Sequence, residues 1–352
     1  MPVTRLVSIL GLGPPNKPAP YYNEVEYSLD GRSFKTPLVQ VALRELTGPI
    51  DSVVLMGTGE VEAQWVTSGL LKKYLPEATF RLIPKGATEE ERWTLFKLAN
   101  RLFQPEPLEN EKQAPERLIV DVTHGFRAQP MLIGAALNFA RSEWTRKGLG
   151  KPPEVRVLYG AFEAPNAAAP IWDMTQVVEA AAWNSALDAL VRFGRADDLE
   201  RLTGAVARED LEKAKAEGVT GKELGRYRFA QRLGQAARGL ADDLATVRLR
   251  NVLSKSSREL AQVLASEESQ ALTSRLPVLE VALQQLREWV TPLQAERVHS
   301  ADGIRAMFEL SRRLGLLQRF AEQAAVLREA LVTHHGHLTG RLFDRAEPGQ
   351  SG

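Results

Sequence analysis

Up to about residue 170, short apolar runs rich in β-branched side chains alternate with longer stretches that repeat apolar positions three and four residues apart. Such runs are typical of buried strands, and the longer repeats indicate helices. The predicted strands are Leu6–Leu10, Ser52–Met56, Thr79–Ile83, Arg117–Val122 and Val155–Tyr159. The predicted helices are Thr36–Leu46, Glu62–Tyr74, Glu89–Phe103 and Pro130–Lys147. Strands separated by helices form parallel βαβ units, so residues 1–170 are predicted to form a Rossmann-like parallel sheet with flanking helices.

Beyond residue 175 the strand pattern stops and only helical periodicity continues. The clearest stretches are Val177–Phe193, Arg226–Leu249, Arg258–Leu264, Val278–Val290 and Ala301–Leu331. We therefore expect an all-helical domain over residues 175–345. The last residues, 346–352, have nothing apolar to bury and are expected to form a flexible tail.

Composition narrows the function classes. Hydrophobic residues make up 44% of the 352 residues and charged residues 25%, which argues against a chain that is disordered throughout. The net charge of +1 provides no global field for holding duplex DNA, so an anionic ligand must be bound locally. The absence of cysteine excludes disulfides, thiolate nucleophiles and cysteine-ligated zinc. With only five histidines, we expect no metal site, and with no signal or membrane segment recognisable, a cytoplasmic protein.

The residues that carry chemistry follow the predicted strands, where an open parallel sheet binds its ligands. They are Gly11, Leu12, Gly13, Asn16, Lys17, Tyr21 and Tyr22 after the first strand, Thr58 and Gly59 after the second, Asp121 to Arg127 after the fourth, and Tyr159 at the end of the fifth. Glycines allow backbone amides to approach a phosphate, hydroxyls and cations bind its oxygens, and tyrosines stack on bases. This composition favours a nucleotide ligand.

Each of these features also has a plain structural interpretation. A Gly-x-Gly turn after a strand is common, Asp121 is suited to bracing a neighbouring loop, and a single histidine such as His124 usually serves as a structural hydrogen-bonding group. Gly11-Leu12-Gly13 lacks the third glycine of the dinucleotide fingerprint, so bound NAD is not expected. From spacing alone, the prediction is a nucleotide-binding Rossmann-like domain followed by a helical domain.

The heptad Asp121-Val122-Thr123-His124-Gly125-Phe126-Arg127 resembles the signature of the CRISPR-associated DxTHG-motif family, ancillary proteins of type III CRISPR systems. Further segments resemble the family in the same order along the first 190 or so residues. They include the opening loop from Ile9 to Tyr22, Thr36-Pro37 after a short hairpin, Ile83 to Gly86 with Glu89 to Trp93, Val157 to Glu163, and Ile171 to Thr175.

The resemblance implies a CARF domain, a CRISPR-associated Rossmann fold that forms a homodimer and binds cyclic oligoadenylate across its two-fold axis. It implies that the Gly11 to Lys17 loop, Thr58, Gly59 and the Thr123 to Arg127 loop surround the ring. Tyr21, Tyr22 or Tyr159 would then contact the bases. A symmetric ring presents the same groups to both subunits, so few charges per chain suffice. No cofactor is required, and the cyclic oligoadenylate acts as activating ligand or substrate.

The resemblance also implies a HEPN domain, a metal-independent ribonuclease with an Arg-x(4–6)-His motif, in the helical half. Arg328 and His334 have a permitted spacing, but they lie on a segment that resembles an early HEPN helix, so a shortened or degenerate domain is the alternative. The motif could also begin at Arg250-Asn251. That segment carries Lys255 in place of histidine, so it is interpreted as ordinary helix surface.

Three functions therefore remain open. The first is a cyclic-oligoadenylate sensor that controls cleavage of single-stranded RNA through Arg328 and His334. The second is a ring nuclease or signal-binding module, in which His124, Arg127 or Lys17 assists opening of the cyclic ligand and no other RNA is cut. The third is a nucleotide-binding metabolic enzyme. No membrane or duplex DNA partner is expected.

Overall fold

A computed structural model describes residues 3–13, 22–109, 111–125, 128–147, 153–161, 168–221, 224–277 and 279–340. The chain divides into two compact units, residues 1–179 and 180–352. The first unit is a mixed α/β domain and the second is helical. This arrangement confirms the predicted α/β fold followed by an all-α region.

The first unit is built on one eight-stranded sheet with the order β3-β2-β8-β7-β6-β1-β4-β5. Its strands are β1 (Thr4–Ile9), β2 (Val25–Leu29), β3 (Arg32–Thr36), β4 (Ser52–Gly57), β5 (Thr79–Leu82), β6 (Arg117–Asp121), β7 (Glu154–Gly160) and β8 (Ala168–Asp173). β1 lies between β4 and β6 and is parallel to both, so the loops that follow these three strands meet at one edge. The pairs β2–β3 and β7–β8 are antiparallel, which corrects the purely parallel sheet predicted from the sequence.

The β2–β3 hairpin turns at Asp30 and Gly31, which both have positive φ, at 51° and 76°. Two successive residues in this region form the turn that matches the twist of a hairpin. β3 ends at Thr36, which corrects the helix predicted to begin there. The residue before a proline is driven to extended backbone, so Thr36 stays in the strand and the helix begins two residues beyond Pro37, at Val39.

Helices cover both faces of this sheet. They are α1 (Val39–Leu46), α2 (Gly59–Val61), a π-helical segment (Glu62–Thr67), α3 (Leu70–Tyr74), α4 (Glu89–Leu102) and α5 (Gln129–Lys147). The predicted helix Glu62–Tyr74 is thus wrong as one regular element, because Gly69 adopts a left-handed conformation and ends its first part. Residues of α1 and Trp65 pack on one face of the sheet, and α4 and α5 pack on the other. Leu6 and Val7, successive residues of β1, are fully buried on opposite faces of the sheet.

Arg5 is a fully buried charge on the central strand β1. Its guanidinium donates to the carbonyls of Leu102 and Glu106 at 2.6 and 2.7 Å, and it forms an ion pair with Glu111. A buried cation is tolerated only when its donors are satisfied in this way. Arg5 therefore fastens the loop that follows α4 to the centre of the sheet.

The second unit contains only helices among its described residues. They are α6 (Thr175–Phe193, which begins in the first unit), α7 (Asp197–Ala216), α8 (Leu224–Tyr227), α9 (Phe229–Ala245), α10 (Leu249–Asn251), a π-helical segment (Val252–Ser256), α11 (Ser257–Ala265), α12 (Glu267–Arg275), α13 (Leu279–Val290), a 3₁₀ turn (Thr291–Leu293), α14 (Ala301–Leu316) and α15 (Phe320–Leu338). One apolar core contains residues from all of these elements except α8. Within the described ranges, none of the helices combines the length and apolarity that crossing a lipid bilayer requires.

Two predicted helices of this unit end earlier than their periodicity suggested. Arg226–Leu249 is interrupted after α9, where Val247 has a φ of 51°. Ala301–Leu331 is two helices, because Gln318 has a φ of 59° and separates α14 from α15. Neither residue is glycine, so the sequence carries no local signal for these left-handed turns.

Candidate ligand site at the carboxyl edge of the sheet

The loops after β1, β4 and β6 meet at the carboxyl edge of the sheet, as the topology requires. The chain forms β4 and β5 on one side of β1 and then crosses to form β6 on the other side, which makes this edge a switch point of the kind that binds ligands. Gly11 to Gly13 follow β1, Thr58 and Gly59 follow β4, and Thr123 to Gly125 follow β6. Asn16, Lys17, Tyr21, Phe126 and Arg127 lie outside the described residues.

Asp121 connects the strand ends at this edge through hydrogen bonds inside the protein. It is fully buried at the end of β6 and accepts hydrogen bonds from Ser8 Oγ at 2.6 Å and from the backbone nitrogen and hydroxyl of Thr123. Gln40 of α1 donates its amide to Ser8 Oγ at 2.9 Å and extends the network. Complete burial raises the pKa of Asp121, and the hydrogen bonds from Ser8 and Thr123 oppose that shift. The carboxylate is directed into the fold.

Thr123 is also engaged inside the protein. Its hydroxyl donates to Asp121 and accepts from the backbone nitrogen of Gly160 at 2.7 Å, so it ties the loop after β6 to the end of β7. The side chain is 8% exposed. The hydroxyl that was predicted to bind a phosphate therefore makes two hydrogen bonds within the protein, which the sequence motif did not reveal.

His124 stacks on Tyr22. Their ring centroids are 5.2 Å apart with 23° between the planes, and Tyr22 in turn stacks on Trp65 at 5.8 Å and 16°. Burial lowers the pKa of His124, although the nearby Asp121 charge acts in the opposite direction. At neutral pH the imidazole is therefore uncharged and suited to stacking, not to neutralising a phosphate.

The first loop is fitted tightly beneath this aromatic stack. Trp65 Nε1 donates to the carbonyl of Gly11 at 3.2 Å, and Gly13 N donates to Gln64 Oε1 at 3.3 Å. A Cβ atom at Gly11 would lie 2.9 Å from the Tyr22 hydroxyl and 3.2 Å from His124 Cβ. Gly11 is therefore required for packing. Trp65 and Gln64 belong to the π-helical segment, and sequence reasoning missed both.

The loop after β4 presents a different surface. The Thr58 hydroxyl donates to Glu60 at 2.9 Å, and Glu60 forms an ion pair with Lys85, which follows β5. The side chain of Lys85 is half exposed. Gly59 is exposed, and a Cβ atom there would meet no atom within 4 Å. Nothing in the described packing requires glycine at position 59, whereas a ligand approaching the backbone closely would.

Tyr159 lies away from this cluster. β7 alternates its side chains between the two faces of the sheet, and Tyr159 points to the α5 face, opposite to Tyr22 and Trp65. There it borders an apolar cavity of about 210 Å³ together with Val122, Ile133 and Met174. Its ring also contacts Trp172 of β8 at 5.8 Å. The structure thus does not bring Tyr159 together with the predicted ligand residues that it describes, such as Gly11 and Gly59.

Residues 6–159 match the family model of the CARF domain of the CRISPR system endoribonuclease Csx1. The first unit is a Csx1-type CARF domain. The match begins in β1 and ends in β7, so it includes every strand that carries the candidate site. The match confirms the CARF domain that the DxTHG heptad indicated, and it supports the type III CRISPR ancillary class for the chain. No curated protein matches the chain at a significant level.

The helical unit holds the other two predicted residues. Arg328 and His334 both lie on the single continuous helix α15 and are exposed. Six residues at about 100° each place two side chains roughly 120° apart around a helix, so they do not share one face. The His334 ring packs edge-on against Phe308 of α14, with centroids 6.1 Å apart.

Arg250 and Asn251 belong to α10, where Asn251 donates to Asp243 at 3.2 Å. Lys255 follows within the π-helical segment Val252–Ser256.

Proposed function

We propose that this CARF domain binds cyclic oligoadenylate at the carboxyl edge of its sheet and that two chains share one ring. The observation that carries the proposal is the convergence of the Gly11 loop, Gly59 and the His124 loop at that edge in a domain matched by the Csx1 CARF model. An exposed glycine backbone lets a phosphate approach closely, and a ring with two-fold symmetry can meet the same loops of both chains.

The output that we propose is cleavage of single-stranded RNA by the helical unit. The protein whose CARF domain matches is itself an endoribonuclease. Arginine and histidine can perform such cleavage without a metal, since histidine transfers the proton and arginine stabilises the charge on phosphorus. Ligand binding would favour the cleaving arrangement through its higher affinity for that state.

A second candidate is favoured by the position of Arg328 and His334 on different faces of α15. Within one chain these side chains do not face one phosphate together. The alternative is that the protein captures or opens the cyclic ligand and cuts no other RNA. In that case a 2′-hydroxyl of the ligand attacks its own phosphodiester, which leaves a cyclic phosphate and a free 5′-hydroxyl, and His124 is the described candidate to assist.

One experiment separates the two outputs. The full chain is incubated with cyclic tri-, tetra- or hexa-adenylate and a labelled single-stranded RNA, and ring opening and RNA cutting are followed together. RNA cutting that depends on the ligand and is lost in His334→Ala and Arg328→Ala supports the ribonuclease. Ring opening that survives both substitutions and is lost in His124→Ala supports the ring nuclease, and binding with neither reaction supports signal capture. No binding of any ring overturns the proposal.

A further inference from the structure

The apolar cavity on the α5 face of the sheet has a volume of about 210 Å³. Its walls come from the ends of β6 and β7, from one face of α5 and from the residues at the start of α6. Val122, Ile133 and Met174 lie in these walls, and Tyr159 borders the cavity near the end of β7. Among the described lining residues, Tyr159 alone carries an N–H or O–H group on its side chain. The cavity therefore offers few groups to which water can bind.

The cavity is large for a folded domain. Side chains in protein cores are close-packed, and voids larger than a water molecule are few. An apolar cavity of about 150 Å³ stays dry and takes up benzene. The lining atoms of an empty cavity lack contacts on one side, so a molecule that fills the space restores attraction that the protein itself does not supply. At about 210 Å³, this cavity has room for one ring or two fused rings.

A glycine in the wall of the cavity has no packing reason to be there. Four lining residues share one face of α5, namely Pro130, Ile133, Gly134 and Leu137. Gly134 lies in the interior of this 19-residue helix, where glycine is less favourable than alanine. A Cβ atom at this position would meet no atom within 4 Å. A larger side chain on this face would enter the cavity, so the glycine keeps the space open at a cost to the helix.

We propose that the cavity is a binding site for a small uncharged aromatic molecule with one ring or two fused rings. The ring of Tyr159 provides an aromatic surface for edge or offset contact, and the thioether of Met174 makes favourable contacts with aromatic rings and adapts to their shape. None of the described lining residues is charged. An ammonium or carboxylate group would lose its hydration there without gaining a partner, so charged molecules are excluded.

This site is separate from the carboxyl edge of the sheet. Tyr22 and Trp65 pack on the opposite face, and neither Gly11, Gly59 nor His124 is among the described residues that line the cavity. The inference therefore does not rest on the binding of cyclic oligoadenylate. Each of the two proposals can fail while the other holds.

Titration of the full chain with benzene and with indole tests the proposal, with benzylamine and benzoate as charged molecules of similar size. Binding is followed by calorimetry and by thermal melting. We expect both uncharged molecules to bind, and each at ten times its Kd to raise the melting temperature by roughly 3 °C. Benzylamine and benzoate should give neither heat of binding nor a melting shift.

Two matched substitutions locate the binding. Gly134→Leu places a side chain in the cavity and should weaken the binding of benzene and indole at least tenfold. Gly239→Leu is the control, because Gly239 also lies within a helix, α9, and a Cβ atom there also meets no atom within 4 Å, but it does not line the cavity. It should leave the affinities unchanged. Gly134→Ala adds a single methyl group and should keep the fold while weakening indole more than benzene.

A folded chain that binds neither benzene nor indole would overturn the proposal. Equal losses of affinity in Gly134→Leu and Gly239→Leu would overturn it too, because the binding would then lie elsewhere. Binding of benzylamine or benzoate as tight as that of benzene would contradict the apolar character of the site. Competitive displacement of indole by cyclic oligoadenylate would assign the cavity to a base of that ligand and would refute a separate site.

Discussion

Asp121 and Thr123, two of the residues that define the heptad after β6, use their polar atoms inside the protein. Asp121 accepts from Ser8 and Thr123, and Thr123 accepts from the nitrogen of Gly160. These two residues thus join the ends of β1, β6 and β7 and hold the loops of the carboxyl edge in position.

Replacement of Asp121 by asparagine tests this structural role. The new amide group would face the hydroxyl of Ser8 or the nitrogen of Thr123, and at least one buried donor would lose its acceptor. Such a loss costs about 1–3 kcal/mol, so we expect the free energy of unfolding in urea to fall by that amount. The exposed pair Arg192 and Asp188 supplies the control, since Asp188→Asn should change stability by less than about 0.5 kcal/mol. Equal effects of the two substitutions would refute the bracing role.

The lowered pKa of His124 predicts a pH-dependent stability. Near pH 6.5 the unfolded chain takes up a proton on this imidazole, whereas the folded chain does so only at lower pH. The unfolded state therefore binds more protons, and lowering the pH from 7 towards 5 removes stability. The variant His124→Gln lacks the imidazole but keeps Asp121. On acidification the wild type should therefore lose more stability than this variant, by up to about 1.4 kcal/mol for each unit by which the pKa of His124 is lowered. The prediction would be contradicted if the free energy of unfolding in urea changed with pH by the same amount in the wild type and in His124→Gln.

At the scale of the elements, two glycines in the loops of the carboxyl edge differ in the space around them. Gly11 is enclosed by Tyr22 and His124, whereas Gly59 faces open space. Both were predicted from the sequence as ligand residues for the same reason, a glycine after a strand. Only the packing around each glycine shows that the fold requires Gly11, whereas Gly59 has open space that a ligand could fill.

The two positions give a paired prediction. Gly11→Ala should destabilise the protein by about 1–3 kcal/mol, because its Cβ displaces the Tyr22 ring or His124. Gly59→Ala should shift the melting temperature by no more than about 1 °C yet weaken binding of the cyclic oligoadenylate at least tenfold, about 1.4 kcal/mol. Thermal melting and calorimetric titration measure the two effects. Undiminished affinity in Gly59→Ala would exclude close approach of the ligand to this loop.

The sequence predicted the elements that have strong local signals. All five predicted strands lie within two residues of their predicted ends, and α4 begins at Glu89, where Thr88 caps it and an acidic first turn follows. It missed β8, a short strand with Pro170 in its middle, which pairs with β7 and β2 only through tertiary contacts. The π-helical segment at Trp65 was also missed, because its apolar spacing matches that of an ordinary helix.

Prediction of the site was limited in the same way. The sequence identified the edge, since glycines and polar residues after parallel strands meet there. It did not separate Tyr159, on the α5 face, from Tyr22, because the face of a strand depends on register. Nor did it reveal that the Thr123 hydroxyl is already engaged, since its partner Gly160 lies 37 residues further along the chain.

At the scale of the whole molecule, the proposed binding of a ring needs two chains. With a net charge of +1, the protein has no general attraction for polyanions, so binding of a ring of phosphates depends on geometry at one edge. A two-fold pair presents that edge twice to a ligand that repeats the same unit.

Calorimetric titration of the full chain with cyclic tri-, tetra- and hexa-adenylate tests the central claim most directly. We predict that at least one ring size binds with a stoichiometry of one ring per two chains and that linear oligoadenylate of the same length binds at least tenfold more weakly, because it lacks the two-fold ring. A folded protein that shows neither heat nor a melting shift with any ring would contradict the account, and so would a stoichiometry of one ring per chain.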